Sequence, residues 1–524
     1  MFVDSRNFKK KQHIDTDLCI IGSGPAGITI ANEFLEKNIS VTLLESGGID
    51  GETFNQDLNQ GDIVGQDPGY DLEMSRLRLF GGTSNHWVGS NQMLDPIDFK
   101  YREWIKYSGW PITLDDLKPF YKKAFKINEI PNLFEDLPYF DKQDTFLKYS
   151  LLLQKKLKED IYFLTNYINP LRFSNKYLEA FKYKNNLNII VHCTATNIFT
   201  NGNNNIEKIE AVTSNYETVT IKSKFYVLAM GGIENARFLL LNIDNIPSKN
   251  INNQPIIGSF FQEHYGATAG TLIFHEEITK YLAYRDEYNF KNKLETETYF
   301  IPSENTQKKQ NILNSRITFY NKNWNSILGP DDINFNNNYK EVLNAISGLL
   351  KSMEGPLEWH KSFKNKNAIF NRPQRIFIGF EQAPNPNSKV YLNSKYDKLG
   401  QRQASLNWKL NETDELSINR TTTWLSEIVG THGLGRINIG PDIKNIEWSK
   451  NNSPIAGGYH HIGTTRMGSN INESVVDKDC KYHQLNNLYL AGSSVFSTGG
   501  STNPTLTIVA LALRLAEHLK KRLS

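Results

Sequence analysis

Two short runs near the C-terminus contain residue types that suit acid–base chemistry on an alcohol. His460 stands beside His461 in a turn rich in glycine and threonine, and Asn503 and Pro504 precede an apolar helix predicted over 506–519. A histidine can accept the proton of a hydroxyl group, and an amide can donate a hydrogen bond to the hydroxyl oxygen. If folding brings these runs together, they form a site for removing a proton from an alcohol.

The chain begins with the pattern of a dinucleotide-binding fold. We predict a buried strand over 17–21, a helix over 28–36 and a second strand over 41–44. Between the first strand and the helix lies the run GSGPAG at 22–27, which fits the fingerprint G-x-G-x-x-G. A fingerprint in this strand–turn–helix–strand context predicts a nucleotide site.

Each glycine of the fingerprint has a physical role. Gly22 makes the tight turn, Gly24 lets the backbone approach the pyrophosphate, and Gly27 lets the helix pack closely on the strand. Glu45 ends the second strand, where an acid binds ribose hydroxyls and disfavours the 2′-phosphate of NADP. The fingerprint alone leaves FAD and NAD open.

Composition disfavours several functional classes. A net charge of +3 over 524 residues provides no bulk attraction for nucleic acid. We expect no membrane span, because the sequence has no run of about 18 apolar residues. We expect no signal peptide, because the first apolar stretch is the nucleotide strand itself, and we expect no metal site. Three cysteines are too few for a disulfide framework, and Cys19 falls in a predicted core strand. These features favour a reducing, cytoplasmic location.

The order of predicted elements favours an α/β fold with a Rossmann-like nucleotide domain assembled from both chain ends. We predict its three parts at 1–111, 187–269 and 455–524. An inserted α+β substrate domain of sheet plus helices would comprise 112–186, mainly helical, and 270–454. Further predicted elements are helices over 113–125, 143–157, 231–241 and 414–429 and strands over 188–192, 222–228, 390–392 and 404–409.

Taken together, the motifs resemble the glucose–methanol–choline (GMC) family of FAD-dependent oxidoreductases over most of the chain. The matching segments are 20–27 with Glu45, 80–87, 227–237, 257–264, 381–388, 458–468 and 501–507. They are specific in combination because they recur in the right order and spacing. The nearest likeness is to the bacterial sugar and polyol branch and to pyranose 2-oxidase. Many family members have a second histidine where this chain has Asn503, and residues 265–375 match no motif.

The resemblance implies a chemistry for the C-terminal runs. Flavin N5 would take a hydride from the alcohol carbon while a histidine accepts the hydroxyl proton. His460 matches the catalytic histidine of the family, so we expect His460 rather than His461 to be the base, and Asn503 to donate to the substrate oxygen. With Asn503 as cap and Pro504 at the first helical position, the last helix would present about half a positive charge to the reduced flavin.

The resemblance also predicts the residues that bind FAD. They are Gly22, Gly24, Gly27, Glu45, Ser46, Gly81, Gly82, Thr83, Asn85, His86, Trp87, Ala195, Gly492, Pro504 and Thr505. The loop 80–87 ends a polar, glycine-rich segment over 51–90 that has no clear periodicity, and long loops of this kind are usually functional. In pyranose 2-oxidase and some relatives the histidine at the place of His86 is bonded to the flavin, so covalent and noncovalent FAD are both open.

Three functions are compatible with these patterns. The first is an FAD-dependent dehydrogenase or oxidase acting on a CH–OH group of a sugar, polyol, glycoside or related alcohol. The second is a flavin-containing lyase, since hydroxynitrile lyases resemble this family, and the third is a non-catalytic nucleotide-binding protein. The presence of both His460 and Asn503 disfavours the third. The electron acceptor, an electron-transfer partner and a homo-oligomer are left open.

Overall fold

The computed structural model describes residues 1–132, 159–247, 256–274, 296–320, 374–440 and 455–524. Within these ranges the strands form two eight-stranded sheets and one three-stranded sheet. The strands are β1 (Phe2–Asp4), β2 (Gln12–Ile21), β3 (Val41–Leu44), β4 (Gly61–Gly65), β5 (Ser90–Asn91), β6 (Ile161–Ile168), β7 (Leu187–Val191), β8 (Cys193–Thr200), β9 (Ile206–Thr213), β10 (Thr218–Leu228), β11 (Tyr265–Phe274), β12 (Thr296–Pro302), β13 (Ser315–Tyr320), β14 (Gln374–Phe380), β15 (Lys389–Tyr396), β16 (Arg402–Trp408), β17 (Gly435–Ile439), β18 (Ala456–Gly457) and β19 (Leu488–Leu490). The helices are α1 (Pro25–Asn32), α2 (Thr53–Asp57), α3 (Leu114–Ile127), α4 (Phe173–Lys182), α5 (Gly231–Leu241), α6 (Glu304–Gln310), α7 (Glu412–Thr431) and α8 (Thr505–Leu523).

The first sheet runs in the order β1-β7-β3-β2-β10-β9-β8, and β19 pairs with the central strand β10. The strands from β1 to β10 in this order, together with β19, are parallel. Residues 18–21 of β2 and 41–44 of β3 are buried throughout, and α1 packs on both strands and on α8. Parallel strands covered on both faces have continuous apolar sequences, which explains why both were predictable.

The central strand β10 joins the two ends of the chain. Its residue Tyr226 lies opposite Cys19 of β2 on one side and opposite Leu488 of β19 on the other. A mostly parallel sheet covered by helices, with strands from both ends of the chain, is the Rossmann-like arrangement predicted from the sequence. The predicted α/β fold class is therefore confirmed.

The second sheet is antiparallel and runs in the order β17-β11-β14-β13-β12-β6-β5, with β18 beside β11. Helix α7 packs against β17 and α6. The third sheet, β15-β16-β4, joins β4 from the N-terminal part to two strands from much later in the chain. The strands β4, β5 and β18 lie outside the ranges predicted for the inserted substrate domain, and the division into domains stays a prediction.

Several predicted boundaries differ from the structure. The helix predicted over 28–36 begins at Pro25 and ends at Asn32, because proline is favoured in the first turn, where its missing N–H is not needed. The segment 51–90, predicted to lack regular structure, contains α2 and β4. The sequence of β4, GDIVG, is too short and polar to predict a strand, and its pairing with β16 supplies the missing stabilisation.

The part predicted as mainly helical, 112–186, contains the strand β6 between α3 and α4. This strand pairs with β12, which lies far away in the sequence, so no local pattern indicated the pairing. The helix predicted over 143–157 lies outside the described residues. The other predicted elements are present, and most of them extend beyond their predicted bounds.

The three cysteines, Cys19, Cys193 and Cys480, are buried and free, so no disulfide supports this fold. In the part of the chain that the structure describes, no helix has the length and apolar character needed to cross a membrane.

Candidate active site

The fingerprint and its neighbours gather at the carboxyl ends of the parallel strands. Gly22 follows β2, Glu45 follows β3, Gly231 follows β10 and Gly492 follows β19. In open α/β sheets, ligands bind at this edge. The strand order therefore places Gly22, Glu45 and Gly492, from both ends of the chain, at the same edge of the sheet.

The fingerprint glycines meet two different surroundings. Gly22 has a φ of 101°, and a Cβ at Gly27 would lie 1.9 Å from the carbonyl oxygen of Gly22. A Cβ at Gly24 would instead have nothing within 4 Å. Gly22 and Gly27 are therefore needed for the turn itself, while Gly24 borders open space of the kind that a pyrophosphate needs.

The carboxylate of Glu45 closes the fingerprint turn. Its Oε2 accepts hydrogen bonds from Ser23 N at 3.0 Å and Ser23 Oγ at 2.6 Å, and its Oε1 accepts one from Gly47 N at 2.9 Å. The Oγ of Ser46 lies 2.7 Å from Oγ1 of Thr194, the residue that precedes Ala195 in the sequence. The predicted residues Glu45, Ser46 and Ala195 thus lie together beside the turn.

The loop 81–87 is fixed by the segment that leads into α4. Gly81 has a φ of 93°, and a Cβ there would lie 2.8 Å from Ser174 N. Asn85 Nδ2 donates to the carbonyl of Gly82 at 2.9 Å, and Trp87 Nε1 donates to the carbonyl of Leu171 at 2.8 Å. Gly82 in turn faces the fingerprint, since its Cβ would lie 3.0 Å from Gly24 Cα. The loop therefore forms a wall between α4 and the fingerprint turn.

The imidazole of His86, at the end of this wall, has no hydrogen-bond partner among the described residues, while its backbone N–H donates to the carbonyl of Thr83 at 3.2 Å. Burial, with a smaller contribution from the nearby Arg172 charge, lowers the pKa of His86 to about 4. The imidazole of His86 is therefore neutral at pH 7. Thr83 belongs to the same loop and lies two residues before Asn85.

The turn of His460 lies beside the loop that leads to Asn503. Gly463 N donates to Ser493 O at 3.1 Å, and Met467 N donates to Val495 O at 2.8 Å. These hydrogen bonds hold the first C-terminal run against residues 493–495, which follow β19 and lead to the second run.

His264, which the sequence analysis did not single out, bridges the two runs. Its Nε2 lies 2.7 Å from Gly500 O and 3.2 Å from Gly499 O, and its Nδ1 lies 2.8 Å from His460 Nδ1. Carbonyl oxygens only accept hydrogen bonds, so Nε2 of His264 must hold a proton and Nδ1 must accept. We assign the proton between the two rings to His460 Nδ1, which leaves His460 Nε2 as a free proton acceptor.

Glu263 fixes the backbone of both histidines. Its Oε1 accepts hydrogen bonds from His460 N at 2.7 Å and His264 N at 2.9 Å, and its Oε2 accepts one from the hydroxyl of Tyr70. Burial raises the pKa of Glu263 to about 7. The segment 257–264 was matched as a motif, but a single sequence did not indicate that Glu263 and His264 would meet a turn nearly 200 residues later.

The two neighbouring histidines differ in surroundings. Burial lowers the pKa of His460 well below its usual value, and His264 and Arg316 lower it further, so His460 is neutral at pH 7. Burial also lowers the pKa of His461, to about 3. The ring of His461 lies between Tyr70 and Phe261, with centroid distances of 5.8 Å and 6.0 Å, and its Nε2 has no partner in the described part of the chain.

Asn503 does not cap the last helix, so that prediction was wrong. Pro504 stands at the cap position, Thr505 is the first helical residue, and the first helical hydrogen bond runs from Ile508 N to Pro504 O at 2.9 Å. The amide of Asn503 points instead to the second sheet, where Arg316 Nη1 donates to its Oδ1. Because Oδ1 is occupied as an acceptor, Nδ2 is the donor that Asn503 can offer to a substrate.

Residues 384–512 match the sequence model of a family described as GMC oxidoreductase. The 2-methyl-1,2-propanediol dehydrogenase of Mycolicibacterium austroafricanum is 30% identical over 166 residues, which are 32% of this chain and 28% of that enzyme. The fructose dehydrogenase large subunit of Gluconobacter japonicus is 22% identical over 484 residues, which are 84% of this chain and 80% of that subunit. Residues 384–512 therefore correspond to the C-terminal part of a GMC oxidoreductase.

Two solved oxidase structures share the fold of this chain. A formate oxidase structure aligns with a TM-score of 0.57 at 15% identity, covering 98% of this chain and all of the other. The pyridoxine 4-oxidase from Mesorbium loti aligns with a TM-score of 0.58 at 14% identity, covering 97% of this chain and 99% of the other. At these identities the likeness concerns the fold.

FAD is the cofactor of GMC oxidoreductases, and the residues of this chain fit it. The open space beside Gly24 suits the pyrophosphate. On the other side of the site, the hydroxyls of Ser501 and Thr502 are buried without a partner in the described residues. Buried hydroxyls are normally hydrogen-bonded, so these two indicate a polar group of a bound ligand. The described residues contain no cluster of His, Cys, Asp or Glu that could hold a metal ion.

Proposed function

We propose that this protein is a GMC oxidoreductase that oxidises a CH–OH group of a sugar, polyol, glycoside or related alcohol with FAD. The proposal rests on the observation that one side chain offers a hydrogen-bond acceptor and another offers a donor. His264 leaves His460 Nε2 as an acceptor, and Arg316 leaves Asn503 Nδ2 as a donor. An alcohol needs one acceptor for its proton and one donor for its oxygen.

The chain's own residues would handle the proton and the oxygen. Asn503 Nδ2 would donate to the hydroxyl oxygen and hold it in place, while His460 Nε2 would accept the hydroxyl proton. The imidazolium formed at His460 would keep its Nδ1–H bonded to His264, which is held in turn by the carbonyls of Gly499 and Gly500. The bound FAD supplies the acceptor for the hydride.

The substrate class is supported by the names of the relatives. The two described above are named as acting on a diol and on fructose, and a third, from Arthrobacter globiformis, is named C-glycoside 3-oxidase and is 40% identical over 136 residues. All three names describe alcohols with neighbouring hydroxyl groups or a sugar.

Anaerobic mixing tests this proposal. We expect the purified protein to be yellow and to lose its oxidised-flavin absorbance when mixed without oxygen with a reactive sugar, polyol or glycoside. Acceptors added one at a time to the bleached protein then identify the reoxidant. A flavin that stays oxidised with every alcohol of a broad panel would contradict redox chemistry and favour the lyase alternative.

Acid precipitation tests covalent attachment through His86. The imidazole of His86 is neutral and has no partner among the described residues, so we expect the flavin to stay in the pellet with the denatured protein. His86→Ala should release it into the supernatant while circular dichroism remains unchanged. Flavin in the wild-type supernatant would show that the cofactor is noncovalent.

A further inference from the structure

Arg316 brings a cation into the proposed site from the second sheet. It lies on β13 directly opposite Gly379 of β14. A Cβ at Gly379 would lie 2.9 Å from Arg316 Nε and 3.1 Å from its Cγ. The side chain of Arg316 therefore crosses the neighbouring strand through a gap that only glycine leaves, which fixes where the guanidinium ends.

One edge of this guanidinium is engaged, and the other has no partner among the described residues. Nη1 donates to Asn503 Oδ1, and the guanidinium carbon lies 5.3 Å from the centre of the Tyr299 ring. Nε and Nη2 have no hydrogen-bond partner, and no carboxylate pairs with Arg316 in the described ranges. By contrast, Arg102 forms an ion pair with Glu381 at 2.6 Å, with side chains 1% and 0% exposed.

The free edge has the geometry of a carboxylate site. Nε and Nη2 project two parallel N–H groups that match the two oxygens of a carboxylate. Arg316 is partly exposed in the structure. Its other edge holds the amide that would bind the reacting oxygen, so an anion bound there lies within one small molecule's length of that oxygen.

We propose that Arg316 binds a carboxylate of the substrate, so that the preferred alcohols are hydroxy acids such as sugar acids. This inference rests on the proposed function, because it places the carboxylate relative to the hydroxyl held by Asn503 and His460. Arg316 is then a specificity-determining residue that binds the group next to the oxidised carbon.

Matched substrate pairs test the proposal. Glucuronate and glucose, gluconate and glucitol, and lactate and propane-1,2-diol each differ by one carboxylate. We expect the wild-type holoenzyme to be reduced with a higher kcat/KM by the acid of at least one pair. In Arg316→Gln the acid-to-neutral ratio of kcat/KM should fall roughly ten- to a hundredfold, mainly through KM, as expected for a charge-assisted bidentate contact.

Two variants separate the effect of the Arg316 charge from the effect of its geometry and from a general loss of activity. Arg316→Lys keeps the charge but loses the fork, so it should restore only part of the ratio. Arg436→Gln removes an exposed arginine of β17 in the same sheet and should leave the ratio unchanged. Equal losses for acid and neutral partners in Arg316→Gln would overturn the proposal and assign Arg316 to holding Asn503 alone.

A binding measurement keeps this inference separate from the proposed function. Acetate should protect the wild-type holoenzyme against thermal unfolding more than acetamide does, and this difference should disappear in Arg316→Gln. Bleaching by neutral alcohols with no acid preference and no acetate effect would overturn the carboxylate site and leave the proposed function standing. An acetate effect without bleaching by any alcohol would support the carboxylate site and contradict the proposed function.

Discussion

Replacing His460 by alanine should keep FAD bound and lower the rate of flavin reduction by about 10²–10⁴, the usual contribution of a positioned acid–base group. The variant loses the Nε2 that His264 orients as a proton acceptor. The His460 side chain of the wild type forms no hydrogen bond to the fingerprint or to the loop 81–87, so the variant should still bind the cofactor. Anaerobic stopped-flow mixing measures the reduction rate, and the flavin spectrum measures the bound cofactor.

Two neighbouring variants serve as controls. His461→Ala should slow reduction much less, because the ring of His461 is enclosed between Tyr70 and Phe261. Asn503→Ala should cost less than His460→Ala, because it removes a donor to the oxygen and keeps the proton acceptor. If His461→Ala proves the more damaging change, the base must be assigned to the neighbouring residue. If neither histidine matters, the proposed mechanism is wrong.

The pH dependence follows from the lowered pKa of His460. Only the neutral imidazole can accept a proton, so reduction should be fast above its pKa and fall as the pH drops through it. Burial lowers that pKa well below the usual value, so the acid limb should lie below about pH 6.5. A limb near pH 7 would instead point to Glu263, whose pKa burial raises to about 7, and Glu263→Gln would then remove it.

Gly24→Ala should fold normally and lose affinity for FAD. The new Cβ meets no protein atom within 4 Å, and the φ of −72° at Gly24 suits any L-residue. The methyl group would occupy space next to the expected pyrophosphate, and overpacking of this kind costs about 1–3 kcal/mol. We therefore expect the dissociation constant of FAD to rise roughly 5- to 150-fold. Titration of the apoprotein with FAD measures it.

Gly27→Ala is the matched comparison, because its Cβ would lie 1.9 Å from a backbone oxygen of the same turn. This variant should lower the midpoint of thermal unfolding of the apoprotein, whereas Gly24→Ala should not. Should Gly24→Ala bind FAD as tightly as the wild type, the open space beside Gly24 is not where the pyrophosphate lies.

The sequence predicted the elements whose signals are local. Residues 18–21 of β2 and all of β3 are buried and form continuous apolar runs, so the positions of these segments followed from the sequence alone. The last helix was equally clear, because its apolar residues recur with helical spacing over 506–519. The predicted boundaries of the elements were less accurate. Helix α1, for example, begins at Pro25, within the fingerprint itself.

The candidate site was only partly predictable, because its supporting residues come from distant parts of the chain. His264 reaches His460 from the start of β11, and Arg316 reaches Asn503 from β13. No periodicity or spacing in one sequence links such pairs. The prediction that Asn503 caps the last helix was wrong for the same reason. The local preference of asparagine for cap positions was outweighed by its hydrogen bond with Arg316 of the second sheet.

The pairing of β10 with both β2 and β19 has a consequence for how the protein folds during synthesis. The ribosome releases β2 early, and β19 follows only after all the intervening strands have emerged. Contacts this far apart in sequence form slowly, because a long loop must close before they provide any stabilisation. The nascent chain therefore exposes an incomplete parallel sheet for most of its translation, and an edge of that kind is a binding surface for chaperones and a starting point for aggregation.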